Sequence, residues 1–223
     1  MFHQFCHGAL LKISRLVQVK CKVLNIKGKL STLILWLIGL TACQSQPIPA
    51  AVMGENHHFV ETGYTVRGDF WLFFNQYGGV ESLGYPLSEE ITLDGWDVQY
   101  FEKGRLERHP ENEPAYRITI GWLGDLLQRR RPPIPFALIP RADQPNHRYF
   151  PETGHTLSGD FLGYFEAHGG SVRFGRPISE PFLETGRLTQ DFQSARFFWT
   201  PNADRPVTLE EIGRVHLETI GAP

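Results

Sequence analysis

Residues 59–111 repeat as residues 150–202 at a constant offset of 91, with 20 identities in 53 positions and no gap. Phe59-Val-Glu-Thr-Gly63 returns as Phe150-Pro-Glu-Thr-Gly154, Gly68-Asp69-Phe70 as Gly159-Asp160-Phe161, and Gly78-Gly79 as Gly169-Gly170. Gly84, Pro86, Ser88 and Glu89 return as Gly175, Pro177, Ser179 and Glu180. Gly95, Gln99, Phe101, Arg105 and Pro110 return as Gly186, Gln190, Phe192, Arg196 and Pro201. A chain bound by such self-similarity is expected to fold as one unit used twice. The expected boundaries are repeat 1 at 57–131, a proline-rich linker at 132–146 and repeat 2 at 147–223. The linker carries five prolines in fifteen residues, which favours an extended connector over a helix.

Each copy reads alike. Residues 70, 73, 74 and 77 are aromatic at helical spacing and Gly78 supplies a stop. Phe161, Tyr164, Phe165 and His168 repeat that face, and Asp69 or Asp160 complements the helix dipole at its first turn. Leu83-Gly-Tyr-Pro-Leu87 and Phe174-Gly-Arg-Pro-Ile178 read as turns. Ile91-Thr-Leu93 and Val98-Gln-Tyr-Phe101 flank Asp94-Gly95, a hairpin dipeptide, and residues 104–109 add a third extended run. A second helix is expected over 116–129 with Ile118, Trp122 and Leu126 inward. Its counterpart is expected to start at Thr208, where Thr208 and Glu211 have capping-box spacing. The fold class expected is α+β: two tandem homologous repeats, each a short helix, a small antiparallel sheet and a second helix.

The amino terminus reads as an address. Six of the 22 basic residues fall within residues 1–29, and the first of the 24 acidic residues is Glu55. Sixteen basic residues therefore face all 24 acids in the remainder, a net charge of −8 that repels phosphate backbones and argues against a nucleic-acid partner. Residues 30–40 are uncharged and mostly apolar, about 16 Å as a helix, which is half a bilayer core. A basic flank, a short apolar run and small residues describe an export signal. Leu40-Thr41-Ala42-Cys43 resembles the lipobox of bacterial lipoproteins. That resemblance implies cleavage before Cys43, a diacylglycerol thioether on Cys43, a signal peptide at 1–42 and a tether at 43–56. The long basic region is unusual for such a signal and raises translation starting downstream of Met1 as a hypothesis. Cys6 and Cys21 lie in the leader, so the mature fold holds neither a disulfide framework nor a thiol nucleophile.

Gly78-Gly79, Leu83-Gly84-Tyr85-Pro86-Leu87-Ser88-Glu89 and Gln99-Tyr-Phe-Glu-Lys-Gly104 together resemble the LGFP repeat of bacterial cell-wall-associated proteins. Phe174-Gly175-Arg176-Pro177 and Gln190-Asp-Phe-Gln-Ser-Ala195 are a weaker match, with Arg176 in place of an aromatic residue. The resemblance covers roughly 40 residues per copy. It implies non-catalytic repeats that attach to, or maintain, the cell envelope.

Candidate chemistry is sparse. Phe150-Pro-Glu-Thr-Gly154 approaches a sortase signal but lacks the following apolar segment and basic tail, and its duplication assigns it to the repeat. The shared ionisable residues Glu61/Glu152, Asp69/Asp160, Glu89/Glu180 and Arg105/Arg196 read as structural bridges. A hydrolase pairing Glu61 or Glu152 with Asp69 or Asp160 is the rival, since such a pair serves glycoside hydrolysis when about 5–10 Å apart. Nine histidines show no ligand spacing in the mature chain, so no metal and no cofactor are expected. Tyr64 and Tyr77 replace His155 and His168 in the first copy, a shared demand for a planar polar ring. Nucleophile-elbow, Walker and GxGxxG patterns are absent.

The aromatic side chains Trp96, Trp199, Tyr85 and Tyr100, in or beside hairpins and turns, are the expected ligand contacts, with Glu61 and Glu152 as polar candidates. A flat ring stacks well on the apolar face of a sugar. Trp71 and Trp122 are expected to be packed. Arg129-Arg130-Arg131 reads as a solvated helix end. The sequence thus points to an exported, membrane-anchored lipoprotein whose repeats bind wall or surface polysaccharide or an envelope protein, without catalysis. An envelope hydrolase and a scaffold subunit of a surface complex are the alternatives.

Overall fold

The computed structural model describes residues 55–141 and 144–221. The expected leader and Cys43 lie outside them. The N-terminal half opens with an antiparallel ribbon, β1 (Asn56–His58) and β2 (Thr65–Arg67), joined through a turn in which the Gly63 N–H donates to the Phe59 carbonyl at 2.7 Å. Helix α1 (Gly68–Gln76) and the short helix α2 (Gly79–Leu83) follow. A meander comes next: β3 (Ile91–Leu93), β4 (Trp96–Phe101), β5 (Gly104–Arg108) and β6 (Ile118–Ile120), all antiparallel, then helix α3 (Leu123–Leu126). The C-terminal half runs through the same order of elements. These are β7 (His147–Phe150), β8 (His155–Ser158), α4 (Gly159–Ala167), α5 (Gly170–Phe174), β9 (Phe182–Glu184), β10 (Arg187–Asp191), β11 (Arg196–Trp199), β12 (Val207–Leu209) and α6 (Ile212–Thr219). The protein is therefore of mixed α and β class, with small antiparallel sheets.

Local chemistry explains most of these elements. Asp94 and Gly95 take φ of 53° and 87°, the left-handed pair that matches the twist of a two-residue hairpin, and Thr185 and Gly186 do the same between β9 and β10. In α1 the four-residue spacing of Phe70 and Phe74 buries both rings, and Phe161 and Phe165 repeat this in α4. The two cores correspond. Phe59, Val66, Phe70, Phe74, Leu83, Phe101 and Leu106 pack in one half, and Phe150, Leu157, Phe161, Phe165, Phe174, Phe192 and Phe197 in the other. Each fully buried ring stabilises by about 1.5–3 kcal/mol before entropy is charged.

A polar clasp ties ribbon to sheet in both halves. Gln99 Nε2 donates to the carbonyls of Thr65 and Ser88 at 3.1 and 2.9 Å, and Gln190 Nε2 to those of Thr156 and Ser179 at 2.8 and 2.9 Å. Glu89 accepts the Thr65 N–H, and Glu180 the Thr156 N–H. Burial works to raise the Glu180 pKa, but hydrogen bonds from His155 and Thr156 outweigh it and hold the carboxyl below its ordinary value. Asp69 accepts from Arg108 at 3.1 Å and Asp160 from the Trp199 indole at 2.6 Å, each linking a helix start to its sheet. Gln99, Glu89 and Asp69, with their counterparts Gln190, Glu180 and Asp160, are spent on backbone groups and on joining elements.

Two expectations need correction. Residues 116–129 do not form one helix: Pro114–Tyr116 make a 3-10 turn, Ile118–Ile120 join the sheet edge, and α3 has four residues. The β-branched run Ile118-Thr119-Ile120 favours the strand. Trp122 and Leu126 are more than half exposed rather than inward. In the second half Thr208 pairs with Phe198 inside the sheet, and α6 starts at Ile212 with Glu211 as its N-cap residue, so the capping box is not formed.

The closing helices are exchanged between halves. The Gly124 N–H of α3 donates to the Gln193 carbonyl at 2.8 Å, in the turn between β10 and β11. The Gly213 N–H of α6 donates to the Glu102 carbonyl at 3.0 Å, in the turn between β4 and β5. A Cβ at Gly124 would overlap the Phe192 carbonyl oxygen, and one at Gly213 the Phe101 carbonyl oxygen, so both positions require glycine for close approach. Leu217 of α6 then packs on Val98 and Tyr100 of β4. Each half is capped by the other's last helix.

Candidate functional site

Between the halves lies a cavity of about 1110 Å³. One wall is the end of α1 and the start of α2, with Tyr77, Glu81 and Ser82, together with Lys103 from the β4–β5 turn. The other is the face of α4 carrying Asp160, Tyr164 and His168, with the β11–β12 connection at Asp204 and Arg205. Each helix ends at a glycine in the left-handed region, Gly78 at φ 92° and Gly169 at φ 100°, so the chain turns sharply and presents the preceding ring, Tyr77 or His168, at the opening.

The rings stack and bury only in part. Tyr164 and His168 lie 4.0 Å apart and nearly parallel, and His168 Nδ1 is held 2.8 Å from the Tyr164 carbonyl oxygen. Tyr77 lies 4.3 Å from Phe73. His168 is exposed, whereas Tyr77 and Tyr164 are half-buried. Burial, with a smaller contribution from Glu81, pushes the Tyr164 phenol above its ordinary value against the pull of Arg173 and Arg205, so it remains a neutral donor and acceptor at physiological pH.

Charged groups ring the cavity in facing pairs. Glu81 meets Arg205 at 2.7 Å, an exposed pair worth about 0–1 kcal/mol. Lys103 Nζ donates to the Glu81 carbonyl at 3.1 Å. Beneath Ser82 and Lys103 lies Arg173, fully buried. Its Nε donates to Ser82 Oγ at 3.0 Å, and its Nη2 donates to the carbonyls of Ser82 at 2.9 Å and Lys103 at 3.2 Å. Burial drops its pKa to about 10, with only Tyr164 opposing. Arg173 and Ser82 are counterparts at the 91-residue offset, so the wall is riveted where the halves meet like against like.

The expected contact residues fall elsewhere. Tyr100 is completely buried: Arg105 Nη1 donates to its hydroxyl at 2.9 Å, and that hydroxyl lies 3.0 Å from His216 Nδ1 of α6. It belongs to the junction between halves and does not project. Tyr85 is half-buried and meets Phe59 edge-on at 5.9 Å. Trp96 stays 37% exposed, 4.3 Å from the His109 ring. Trp199 packs on the second core and reaches the cavity only through its hydrogen bond to Asp160. Glu61 is exposed, and Glu152 pairs with Arg176 at 3.2 Å. None of these six lines the cavity.

Of the basic cluster, Arg129 pairs with Glu210, Arg130 with Asp125 at 2.8 Å, and Arg131 lies 3.7 Å over the Phe182 ring. Among the described residues no group of three or more His, Cys, Asp or Glu is placed to hold a metal ion. Of the residues singled out in the sequence, Asp160, Tyr164 and the ring position shared by Tyr77 and His168 line the cavity. Its remaining lining needs the halves docked before it exists. No family model and no curated protein matches this chain.

Proposed function

We propose that the chain is an exported lipoprotein, held to the membrane through Cys43, whose two LGFP-like repeats arose by tandem duplication and together form a non-catalytic module that binds a wall or surface polysaccharide. The observation that carries the reading is the cavity between the halves, where the Tyr77, Tyr164 and His168 rings stand among paired charges. Partly exposed planar rings offer apolar faces for sugar rings, while Glu81, Lys103 and Arg205 offer hydrogen bonds to hydroxyls. A volume of 1110 Å³ exceeds the roughly 300–1,000 Å³ of ordinary small-molecule sites, which suits a chain-like ligand lying across the groove. The two shared aspartates favour binding over hydrolysis, because Asp69 and Asp160 serve as links between helix and sheet.

The test is binding of the full chain to a glycan array and to purified wall polymer, with reducing ends assayed in parallel. Retention without release of reducing ends is expected. His168→Ala should weaken it about tenfold, ~1.4 kcal/mol, with the melting temperature unchanged because the ring is exposed. Reducing ends released by the wild type and lost in Glu61→Gln or Glu152→Gln would replace this reading with the hydrolase.

A further inference from the structure

Residues 132–140, Pro-Pro-Ile-Pro-Phe-Ala-Leu-Ile-Pro, contain nine consecutive side chains without a polar atom. A connector between two halves has no need of such composition, and prolines spaced by polar residues would be as stiff. The segment is also seated firmly. The Arg131 N–H donates to the Ile178 carbonyl at 2.9 Å and the Ile134 N–H to the Gly154 carbonyl at 3.0 Å, so its first part lies along the C-terminal half. Beyond Ile134 it rises into a 3-10 turn, Phe136–Leu138, closed by the Leu138 N–H on the Pro135 carbonyl at 2.8 Å and the Ile139 N–H on the Phe136 carbonyl at 3.2 Å. At its tip Phe136 is 90% exposed and Leu138 66%. A preformed turn thus holds two large apolar side chains out into solvent.

We infer that this turn is a wedge that enters the headgroup region of an anionic phospholipid bilayer. The backbone is suited to leaving water. Four of the nine residues are prolines with no N–H to satisfy, and the N–H groups of Ile134, Leu138 and Ile139 are bonded within the protein. Unpaired backbone groups oppose putting a loop into lipid, and here the prolines and the turn lower the number of free donors. The run is flanked by Arg131, whose guanidinium lies over the Phe182 ring, and by Arg141; both residues are exposed, and a cation beside an apolar tip suits the level of lipid phosphates. The net charge of −8 beyond the leader opposes a purely electrostatic attraction, so the apolar tip supplies the affinity and the arginines the orientation. The choice of a bilayer over a protein partner rests on the proposed lipid on Cys43.

The experiment is amide hydrogen exchange on the full chain carrying Cys43→Ser, which cannot be lipidated. Exchange is compared in buffer, on phosphatidylcholine vesicles, and on vesicles of equal parts phosphatidylglycerol and phosphatidylcholine. The amides of Phe136 and Ala137 are expected to slow about tenfold or more on the phosphatidylglycerol vesicles, while those around Tyr116, another exposed aromatic residue, keep their rate. In Phe136→Ser/Leu138→Ser, which alters side chains that are mostly exposed, the slowing should vanish. Unchanged exchange at 136–137 on both vesicles overturns the wedge, whether or not the chain floats with lipid through its leader. Slowing that needs an added envelope protein also overturns it. The anchor is judged separately: an unmodified Cys43 mass in the wild-type chain sinks the lipoprotein reading and leaves the exchange result standing.

Discussion

His216 shows what single side chains do at the junction between halves. Arg105 is pinned by Glu107, donates to the Tyr100 hydroxyl, and leaves that hydroxyl to donate to His216 Nδ1. This chain of donors calls for a neutral imidazole protonated on Nε2. Burial, and then the nearby Arg105 charge, hold the His216 pKa below the ordinary histidine value against the smaller pull of Glu107. The unfolded chain takes up a proton near pH 6.5 and the folded one only at lower pH, so through that window the unfolded state binds more protons. Stability at neutral pH is therefore expected to fall as pH drops from about 7 to the lowered folded value, below which this group costs nothing further. Melting temperature against pH for wild type and His216→Gln is the measurement. The glutamine, which keeps an acceptor but does not titrate, should flatten that part of the curve. Glu180, lowered by its bonds, adds a separate loss at more acidic pH as it protonates.

Among the elements, α3 and α6 carry the prediction with the largest expected effect. Gly124→Ala and Gly213→Ala each push a methyl group into a carbonyl of the opposite half, and each should cost about 1–3 kcal/mol, read as a lowered denaturant midpoint. Gly163→Ala in α4, which meets nothing within 4 Å, is the control and should leave stability unchanged or raise it by up to about 1 kcal/mol. These helices also mark the limit of what the sequence discloses. The Asp94-Gly95 hairpin and the Phe70/Phe74 helix face were legible because their signals are local: two left-handed residues in one case, a four-residue period in the other. Residues 116–129 misled because Ile118, Trp122 and Leu126 fit a helix by spacing. The choice was instead made by a distant partner, the open edge of β5, which Ile118–Ile120 completes. Tyr100 misled for the same reason: on its own hairpin it would project, but α6 arrives from 116 residues away to cover it. Of the cavity, the α4 positions Asp160 and Tyr164 and the ring shared by Tyr77 and His168 could be read locally. Lys103, Arg205 and Arg173 gain their places only when the halves meet.

At the scale of the whole molecule, the reciprocal capping decides how the protein comes apart. Chymotryptic cleavage after the exposed Phe136 is expected to leave the two fragments eluting together in size-exclusion chromatography, because Arg173, α3 and α6 still cross the junction. Separation into two folded pieces of half size would contradict that arrangement. Lineages that lengthen a protein by copying such a segment meet an arithmetic restriction. Within a two-way exchange, a third copy would bring one more closing helix and one more seat without an opposite half to trade with. Unless the exchange reopened into a ring, growth would then proceed by whole couples rather than by single additions.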